Sequence, residues 1–283
     1  METVYLNGKF LPKDDAKISP DDRGFLFADG VYEVVRWYEG SFFDIDSHVN
    51  RLKRSLGELN INWTEADQFP SVAAGLIKQN NLEKKPVMVY LQVTRGVSKR
   101  THYFPPPETN PTAYAFAFGF IPDVTSQEEG IKVIMKEDIR WSRCDIKSIA
   151  LLPNTLSFQE AHSKGLKECI FVRDGFFTEG THSNIFFIIN NVLYTHPESS
   201  RILSGITRKN VLRMAKECSL IIKEEAVKQD DINIITESFI TNTSSEVTPV
   251  TEIGGFNIGN GLPGPVTRIL QDKFRIVTGA LKK

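Results

Sequence analysis

The chain has 283 residues, of which 41% are hydrophobic, so it is long enough and apolar enough for one large or two smaller packed domains. Its net charge of -1 disfavours nucleic acid or an anionic membrane as a partner. No apolar run reaches the ~20 residues that span a bilayer, and METVYLNGKF lacks the pattern of a signal peptide. The three cysteines, Cys144, Cys169 and Cys218, form no CxxC pair. They predict free thiols in a reducing cytoplasm, not a disulfide framework or a zinc site.

The N-terminal part mixes hairpin and helix signals. Apolar residues on both sides of Asn7-Gly8 predict a hairpin. Apolar residues then recur at helical spacing from Val49 to Leu59, and Asp46 or Ser47 is the expected N-cap of that helix. A second helix is predicted over 69–79, and two strands are predicted in VMVYLQVTRG and TAYAFAFGF.

The polar segment IPDVTSQEEG predicts a boundary between two domains. We expect a smaller N-terminal α/β domain over 1–121, a linker over 122–127, and a larger C-terminal domain over 128–283. The second half predicts hairpins that turn at Asp174-Gly175 and Asn190-Asn191, a helix in TRKNVLRMAKEC, and a strand–turn–strand in ESFITNTSSEVTPVTEI. Strands and helices do not alternate strictly and GxGxxG is absent, so a Rossmann fold is rejected in favour of a mixed α+β or α/β fold.

Two turns have the composition of anion sites. SGIT, at 204–207, precedes the predicted helix, whose free N–H groups favour a phosphate, and Thr207 adds a hydroxyl. TNTSSE, at 241–246, is a second cluster of small hydroxyl side chains. The alternative for each is ordinary capping and a polar turn.

Three further features carry groups with possible chemistry. Glu179 lies in an apolar context, where a carboxylate needs a partner such as a protonated ring nitrogen, although an exposed turn glutamate is the alternative. Arg100 and His102 are two apart, face one side of an extended chain and suit a carboxylate, unless they belong to a solvated basic loop. Lys147 is a candidate nucleophilic amine, but the residues around it in the sequence do not distinguish it from the other lysines.

Six segments together are more specific than any one of them. In chain order they are DRGFLFADGVYEVV, YLQVTRGVSKRTHYF, EDIRWSRCDIKS, FTEGTHSN, LYTHP with ILSGITR, and TSSEVTPV. In order and spacing, over essentially the whole chain, they resemble the fold-type IV pyridoxal-phosphate enzymes and, within them, the bacterial D-amino acid aminotransferases. The resemblance implies the two-domain fold of that family, pyridoxal 5'-phosphate as cofactor, and transamination by a ping-pong mechanism.

The resemblance assigns cofactor roles residue by residue. Lys147 matches the lysine that forms the internal aldimine and shuttles the proton, and Glu179 matches the carboxylate paired with the pyridine nitrogen. Arg51 matches the phosphate-binding arginine. The other matched positions lie at the phosphate or near the cofactor ring: Ile206, Thr207 and Thr243 at the phosphate, and Ser183 and Leu203 near the ring.

Substrate roles follow from the same resemblance. Tyr32, Arg100 and His102 match the groups that bind the α-carboxylate of the substrate. In the family the arginine and histidine come from the neighbouring subunit, so a homodimer is implied. His182 departs from the pattern, because the D-amino acid enzymes usually carry a serine there. Its larger side chain narrows the side-chain pocket or favours acidic substrates, unless it points into solvent.

Several activities compete within this fold. The Arg100–His102 loop favours D-amino acid transamination, with D-alanine, D-glutamate or D-aspartate as donor and 2-oxoglutarate or pyruvate as acceptor. GLPGPVTRIL looks closer to the branched-chain L-amino acid aminotransferases, and aminodeoxychorismate lyase is a third alternative. A catalytically silent binding protein is the alternative outside enzymes, but such a protein has no need of Lys147, Glu179 and Arg51 together.

Overall fold

The computed structural model describes residues 2–279, which fall into two compact units. The first contains 2–121 together with 146–150, and the second contains 122–145 and 151–279. Lys147 thus belongs to the first unit, although it lies within the range predicted for the C-terminal domain. The predicted boundaries at 121 and 128 stay predictions, and the predicted linker contains the beginning of a short helix, Val124–Glu129.

The first unit is built on an antiparallel sheet with two longer helices. Its described strands follow the spatial order β2-β1-β5-β4-β3. Their bounds are β1 Thr3–Leu6, β2 Lys9–Pro12, β3 Gly30–Tyr38, β4 Pro86–Thr94 and β5 Thr112–Gly119. The helices are α1 Arg23–Phe27, α2 Ile45–Glu58 and α3 Phe69–Gln79, with single 3-10 turns at Lys13–Asp15 and Ala66–Gln68.

Alternation along the strands separates the two faces of this sheet. Every second residue of β4, from Val87 to Val93, packs into a core with the apolar stripes of α2 and α3. The other face carries a row of aromatic rings, in which Tyr32 stacks on Tyr90 at 5.7 Å and Tyr90 contacts Phe116 at 5.3 Å. Tyr32 is therefore held on the face away from the helices.

Local signals predicted much of this unit. The hairpin at Asn7-Gly8 is confirmed, with both residues in the left-handed region, and α3 has the predicted bounds. The predicted N-cap of α2 is wrong, because Asp44 occupies that position. Asp44 takes a left-handed φ of 47° at the end of the preceding turn, so the helix begins earlier and Asp46 lies in its first turn.

The second unit contains a mixed sheet that closes on itself. Described strands β9, β12, β13, β6, β7 and β8 pair in that order, and β8 pairs back to β9. The strand bounds are β6 Ile131–Glu137, β7 Glu168–Arg173, β8 Phe176–Gly180, β9 Asn184–Ile189, β10 Val192–Thr195, β11 Ile221–Lys223, β12 Glu237–Asn242, β13 Glu246–Ile253 and β14 Phe256–Asn257. The helices are α4 Val124–Glu129, α5 Leu152–Ser163, α6 Ile206–Glu217 and α7 Pro265–Val277, with a 3-10 segment at Gln229–Ile234.

Hairpin and helix predictions hold in this unit as well. The turns at Asp174-Gly175 and Asn190-Asn191 are confirmed, since all four residues have positive φ. The predicted helix in TRKNVLRMAKEC is α6, and the predicted strand–turn–strand is β12 and β13. Among residues 2–279, no helix is long and apolar enough to cross a membrane.

Candidate active site

A buried ion pair joins α2 to β3 in the first unit. Arg51 donates from Nε to Glu33 Oε1 at 2.7 Å and from Nη2 to Oε2 at 2.9 Å, while His48 Nδ1 lies 2.8 Å from Oε2. Burial raises the pKa of Glu33, but Arg51 and His48 outweigh it and hold that pKa well below its ordinary range. The pair thus fixes the position of the Arg51 guanidinium on α2.

Lys147 lies beside Tyr32 in the same unit. Tyr32 N donates to Lys147 O at 3.0 Å, and Ser148 bridges Val31, so this segment runs along the β3 edge of the sheet. Ile146 enters the core, which turns Lys147 to the opposite side. Its Nζ lies 4.0 Å from the centroid of the Tyr32 ring. The structure therefore brings together two of the residues predicted from the sequence.

Arg100 and His102 lie close to each other in an exposed loop. Both contact the ring of Phe27, the Arg100 guanidinium at 5.0 Å and the His102 ring at 5.7 Å from its centroid. Buried Arg23 fixes the loop by donating from Nη1 to Thr101 O at 2.8 Å. Within residues 2–279, neither Arg100 nor His102 makes a hydrogen bond, ion pair or ring contact with Tyr32 or Lys147.

Glu179 is the central buried acid of the second unit. Its carboxyl group accepts hydrogen bonds from Arg140 Nη1 at 2.6 Å, Leu203 N at 2.9 Å and Asn184 Nδ2 at 3.0 Å. The alternative of an exposed turn glutamate is wrong, since Glu179 is 4% exposed. Burial raises its pKa to about 7, against the opposing effect of the Arg140 charge. Such a carboxyl group is suited to a cationic or N–H partner brought by a ligand.

Arg140 links Glu179 to a second buried acid. It donates to Asp138 Oδ2 at 2.8 Å and lies over the ring of Phe171, and Asp138 also pairs with Arg173 at 3.0 Å. Burial raises the pKa of Asp138, but hydrogen bonds and the charge of Arg140 outweigh it and lower that pKa overall. These contacts fix the orientation of the Arg140 guanidinium, which in turn orients the carboxyl group of Glu179.

Asn184 connects Glu179 to the start of α6. It pairs across the strands with Glu179 on one side and Thr241 on the other, and its Nδ2 also donates to Leu203 O at 2.8 Å. A Cβ on Gly205, the N-cap of α6, would lie 2.1 Å from Asn184 Oδ1. Only glycine at this position lets the helix begin against the asparagine.

Anion-binding groups surround this helix start. Ile206 and buried Thr207 form the first turn of α6, whose N–H groups have no partner within the helix. Thr241 Oγ1 and Asn242 Nδ2 are buried and make no hydrogen bond with the described residues. Half-buried Thr243 lies in the following turn. These groups fit a bound phosphate, because buried polar atoms are otherwise almost always paired.

His182 lies at the tip of the turn between β8 and β9, and its ring is held on one side. Its Nδ1 lies 3.2 Å from the buried Glu168 carboxylate, and the ring meets Phe158 edge to face at 5.1 Å. Ser183, the next residue of the same turn, donates to the same carboxylate at 2.8 Å. One side of the His182 ring is therefore held by the protein, while its side chain stays 45% exposed.

Sequence reasoning missed four residues that organise these groups. Glu33 is a charged residue within the apolar face of β3, Arg140 and Asn184 lie inside segments already quoted, and Glu168 begins an apolar strand. The signal in each case was a polar residue at a core position, which requires a partner. Several of the partners lie far away along the chain, as Glu179 does from Arg140 and Thr181 does from Glu168, so no local pattern identifies them.

The fold and these residues define a class of protein. The model of the family "amino-transferase class IV" matches residues 30–253, and the chain belongs to this family.

Known aminotransferases are similar to this chain in sequence and in fold. The chain is 40% identical over 276 residues to a D-alanine aminotransferase of Staphylococcus haemolyticus, with 97% of each chain covered. The branched-chain amino acid aminotransferase of Escherichia coli superposes with a TM-score of 0.91 at 24% identity, over 100% of this chain and 96% of that one. The branched-chain enzyme of Thermoproteus uzoniensis, solved with norvaline, superposes with a TM-score of 0.87 at 23% identity over 99% and 96%. At such identities the two structures establish the fold alone.

Proposed function

We propose that this chain uses pyridoxal 5'-phosphate to transfer the amino group of a D-amino acid to a 2-oxo acid. D-alanine, D-glutamate and D-aspartate are the proposed donors, and 2-oxoglutarate and pyruvate the acceptors. The D-alanine aminotransferase relative supports the choice of D-amino acids, because it matches nearly the full chain. The observation that carries the proposal is the buried Glu179 carboxyl group beside the unpartnered donors of Thr241 and Asn242.

The donor set of the second unit fits the cofactor. Glu179 would pair with the ring nitrogen, next to Leu203, and its buried carboxyl group suits such a partner. The phosphate would take the start of α6 and the turn after β12, with ligands at Ile206, Thr207, Thr241, Asn242 and Thr243. On the family resemblance, Arg51 is proposed as a further ligand of the phosphate and Lys147 as the residue that binds the cofactor covalently.

Each residue then has a defined chemical task. When bound, the cofactor supplies an electron sink for the carbanion at the substrate Cα. Glu179 keeps the ring nitrogen protonated, with Arg140 and Asn184 holding its carboxyl group in place. The amine of Lys147 would take the proton from Cα as a base and give it up as an acid in a 1,3-proton shift, so that the proton does not return to Cα. Since donor and acceptor use the same site in turn, ping-pong kinetics follow.

Substrate binding completes the proposal. Tyr32, beside Lys147, would bind the α-carboxylate together with Arg100 and His102 of a neighbouring subunit, while His182 would contact the side chain. A homodimer is supported by large exposed aromatic side chains near the Arg100–His102 loop: Phe25 is 79%, Tyr103 75% and Phe104 53% exposed. A cytoplasmic location belongs to the same proposal and is supported by the three free thiols.

A paired panel of D- and L-amino acids tests this function. Single-turnover spectra of the cofactor-loaded protein should change with D-alanine, D-glutamate and D-aspartate, and D-alanine with 2-oxoglutarate should yield pyruvate. L-leucine is the matched probe for the branched-chain alternative. Turnover of L-leucine, combined with no pyruvate from D-alanine, would contradict the D-amino acid assignment.

Borohydride reduction tests the cofactor site independently of turnover. Peptide mass spectrometry should find the phosphopyridoxyl mass on the peptide that contains Lys147. The Lys147→Ala variant should lack this adduct, and an adduct on another lysine instead would overturn the role of Lys147.

A further inference from the structure

The proton of His182 is fixed by the atoms around its Nδ1. This nitrogen lies 2.9 Å from Thr181 Oγ1 and 3.2 Å from Glu168 Oε2. The Thr181 hydroxyl has one proton and donates it to Glu168 Oε1. Both oxygens that face Nδ1 therefore act as acceptors, and the ring satisfies them by carrying a proton on Nδ1. Nε2 is the nitrogen that remains for a ligand.

Glu168 is a buried carboxylate that faces this histidine. It is 0% exposed and accepts hydrogen bonds from the backbone of Cys169 at 2.8 Å and of Thr181 at 3.1 Å, and from Ser183 Oγ at 2.8 Å. Among the described residues no lysine or arginine pairs with it. A buried carboxylate of this kind is the natural counter-charge for an imidazolium, as in sites where a buried acid orients a histidine.

His182 lies in a short turn, residues 181–183, that hydrogen bonds hold in place. Gly180 N donates to Ser183 O at 2.7 Å, and Asn154 Nδ2 donates to Thr181 O at 2.6 Å. Phe158 covers one part of the His182 ring, whose side chain is still 45% exposed. His182 follows Glu179 by three residues, so the two Cα atoms are at most about 11 Å apart. The turn that carries His182 is therefore close to the carboxyl group that is proposed to pair with the cofactor ring.

We propose that His182 binds the second carboxylate of a dicarboxylic substrate, such as D-glutamate, D-aspartate or 2-oxoglutarate, with Glu168 as its positioning residue. The inference rests on the proposed function for the identity of the substrate. Since Nδ1 already donates within the protein, the ring binds an anion by accepting a second proton at Nε2 and donating it to the ligand. Glu168 neutralises that added charge. The serine usual in the D-amino acid enzymes that the sequence resembles cannot supply a positive charge.

Selectivity measured on variants tests the role of His182. For the wild type and His182→Ser, kcat/KM is determined for D-glutamate, D-aspartate and D-alanine, and the ratio of each acidic substrate to D-alanine is compared. We expect both ratios to fall by about tenfold or more, the size of a charge-assisted hydrogen bond. His162→Ser, which removes an exposed histidine at the end of α5, should leave the ratios unchanged. Unchanged ratios in His182→Ser would overturn the proposal.

Binding without turnover separates this inference from the proposed function. The dissociation constants of glutarate and of valerate, which lacks the second carboxylate, are measured by calorimetry on the cofactor-loaded protein. We expect wild type to favour glutarate, and His182→Ser and Glu168→Gln to lose that preference. Nitrogen-15 shifts of the His182 ring should report a protonated Nδ1 in the wild type. If no D-amino acid turned over, the proposed function would fail, whereas equal glutarate preference in wild type and His182→Ser would reject the role of His182.

Discussion

Glu179 makes the stability of the cofactor-free protein depend on pH in a specific direction. Its pKa is about 7 in the folded chain, against an ordinary value of 4.5. A carboxyl group with a raised pKa binds its proton more tightly when folded, so stability is lost as the pH rises from 4.5 to 7. We expect the ionisation of Glu179 to lower the free energy of unfolding by about 3 kcal/mol between pH 4.5 and pH 8. Urea unfolding of cofactor-free protein between these pH values measures this cost.

The Glu179→Gln variant is the matched control for that measurement, because it keeps the shape of the side chain and removes the titration. The free energy of unfolding of this variant should fall less than that of the wild type over the same pH range. Parallel pH profiles for the two proteins would show that the carboxyl group does not titrate in this way.

Glu33 predicts the opposite dependence for the first unit. Its pKa is lowered, so its contribution to stability is present above its ordinary value and is lost as the pH falls. At neutral pH, Glu33→Gln leaves Arg51 buried without its counter-charge, and we expect a loss of about 3–5 kcal/mol in the free energy of unfolding. Glu58→Gln is a suitable control, since Glu58 faces Arg54 on the surface of α2 and such pairs contribute about 0–1 kcal/mol. Similar losses in the two variants, measured by urea unfolding, would contradict the assigned role of the buried pair.

At the scale of single residues, the sequence proposes chemical tasks for Lys147 and Glu179 but does not identify the residues that hold the Glu179 side chain in place. Lys147 and Glu179 were identified through six segments that resemble a family. Arg140, Asn184 and Glu168 were missed, because their roles depend on partners that the fold brings close, such as Glu179 for Arg140 and Ser183 for Glu168. A sequence pattern shows that a buried polar residue needs a partner, but only the folded structure shows which partner it has.

The start of α6 is the element on which the proposed phosphate site depends. A methyl group at Gly205 would collide with Asn184 Oδ1, and Asn184 is bonded to both Glu179 and Leu203. We expect Gly205→Ala to destabilise the protein by about 1–3 kcal/mol, as overpacking does. It should also weaken the binding of pyridoxal phosphate, which an absorbance titration of cofactor-free protein measures.

Gly57→Ala is a matched substitution that is expected to change stability in the opposite direction. It lies within α2, and a Cβ there would have no neighbour within 4 Å. Gly57→Ala should therefore stabilise the protein by about 0.5–1 kcal/mol through helix propensity, with cofactor affinity unchanged. If Gly205→Ala behaved like Gly57→Ala, the start of α6 would not require a glycine.

Elements with strong local signals were predictable from the sequence. The hairpins at Asn7-Gly8 and Asp174-Gly175 and the bounds of α3 follow from turn residues and helical periodicity alone. The closed ring of strands in the second unit did not follow, because pairs such as β6 with β13 join segments far apart in the chain. Local propensity carries no information on which distant strands become neighbours.

At the scale of the whole molecule, the inclusion of residues 146–150 in the first unit was the least accessible feature. Residues 146–150 belong to the first unit although the chain on both sides belongs to the second. This segment pairs with β3 through Val31, and nothing in RWSRCDIKSIALL indicates that strand as its partner. The placement beside Tyr32 is what distinguishes Lys147 from the other lysines in structural terms.

The proposed homodimer gives the strongest test of how the active site is assembled. If Arg100 serves the neighbouring subunit, the homodimers of Arg100→Ala and of Lys147→Ala should both be severely impaired. A heterodimer of the two variants, isolated with two affinity tags, then combines Lys147 of one chain with Arg100 of the other in one intact site. We expect this heterodimer to have about half of the wild-type activity per dimer, since one of two symmetric sites is complete. A heterodimer of wild type with Lys147→Ala sets the reference for one working site. If Arg100 instead served the Lys147 of its own chain, both sites of the mixed dimer would be broken and it would be as impaired as the variants themselves.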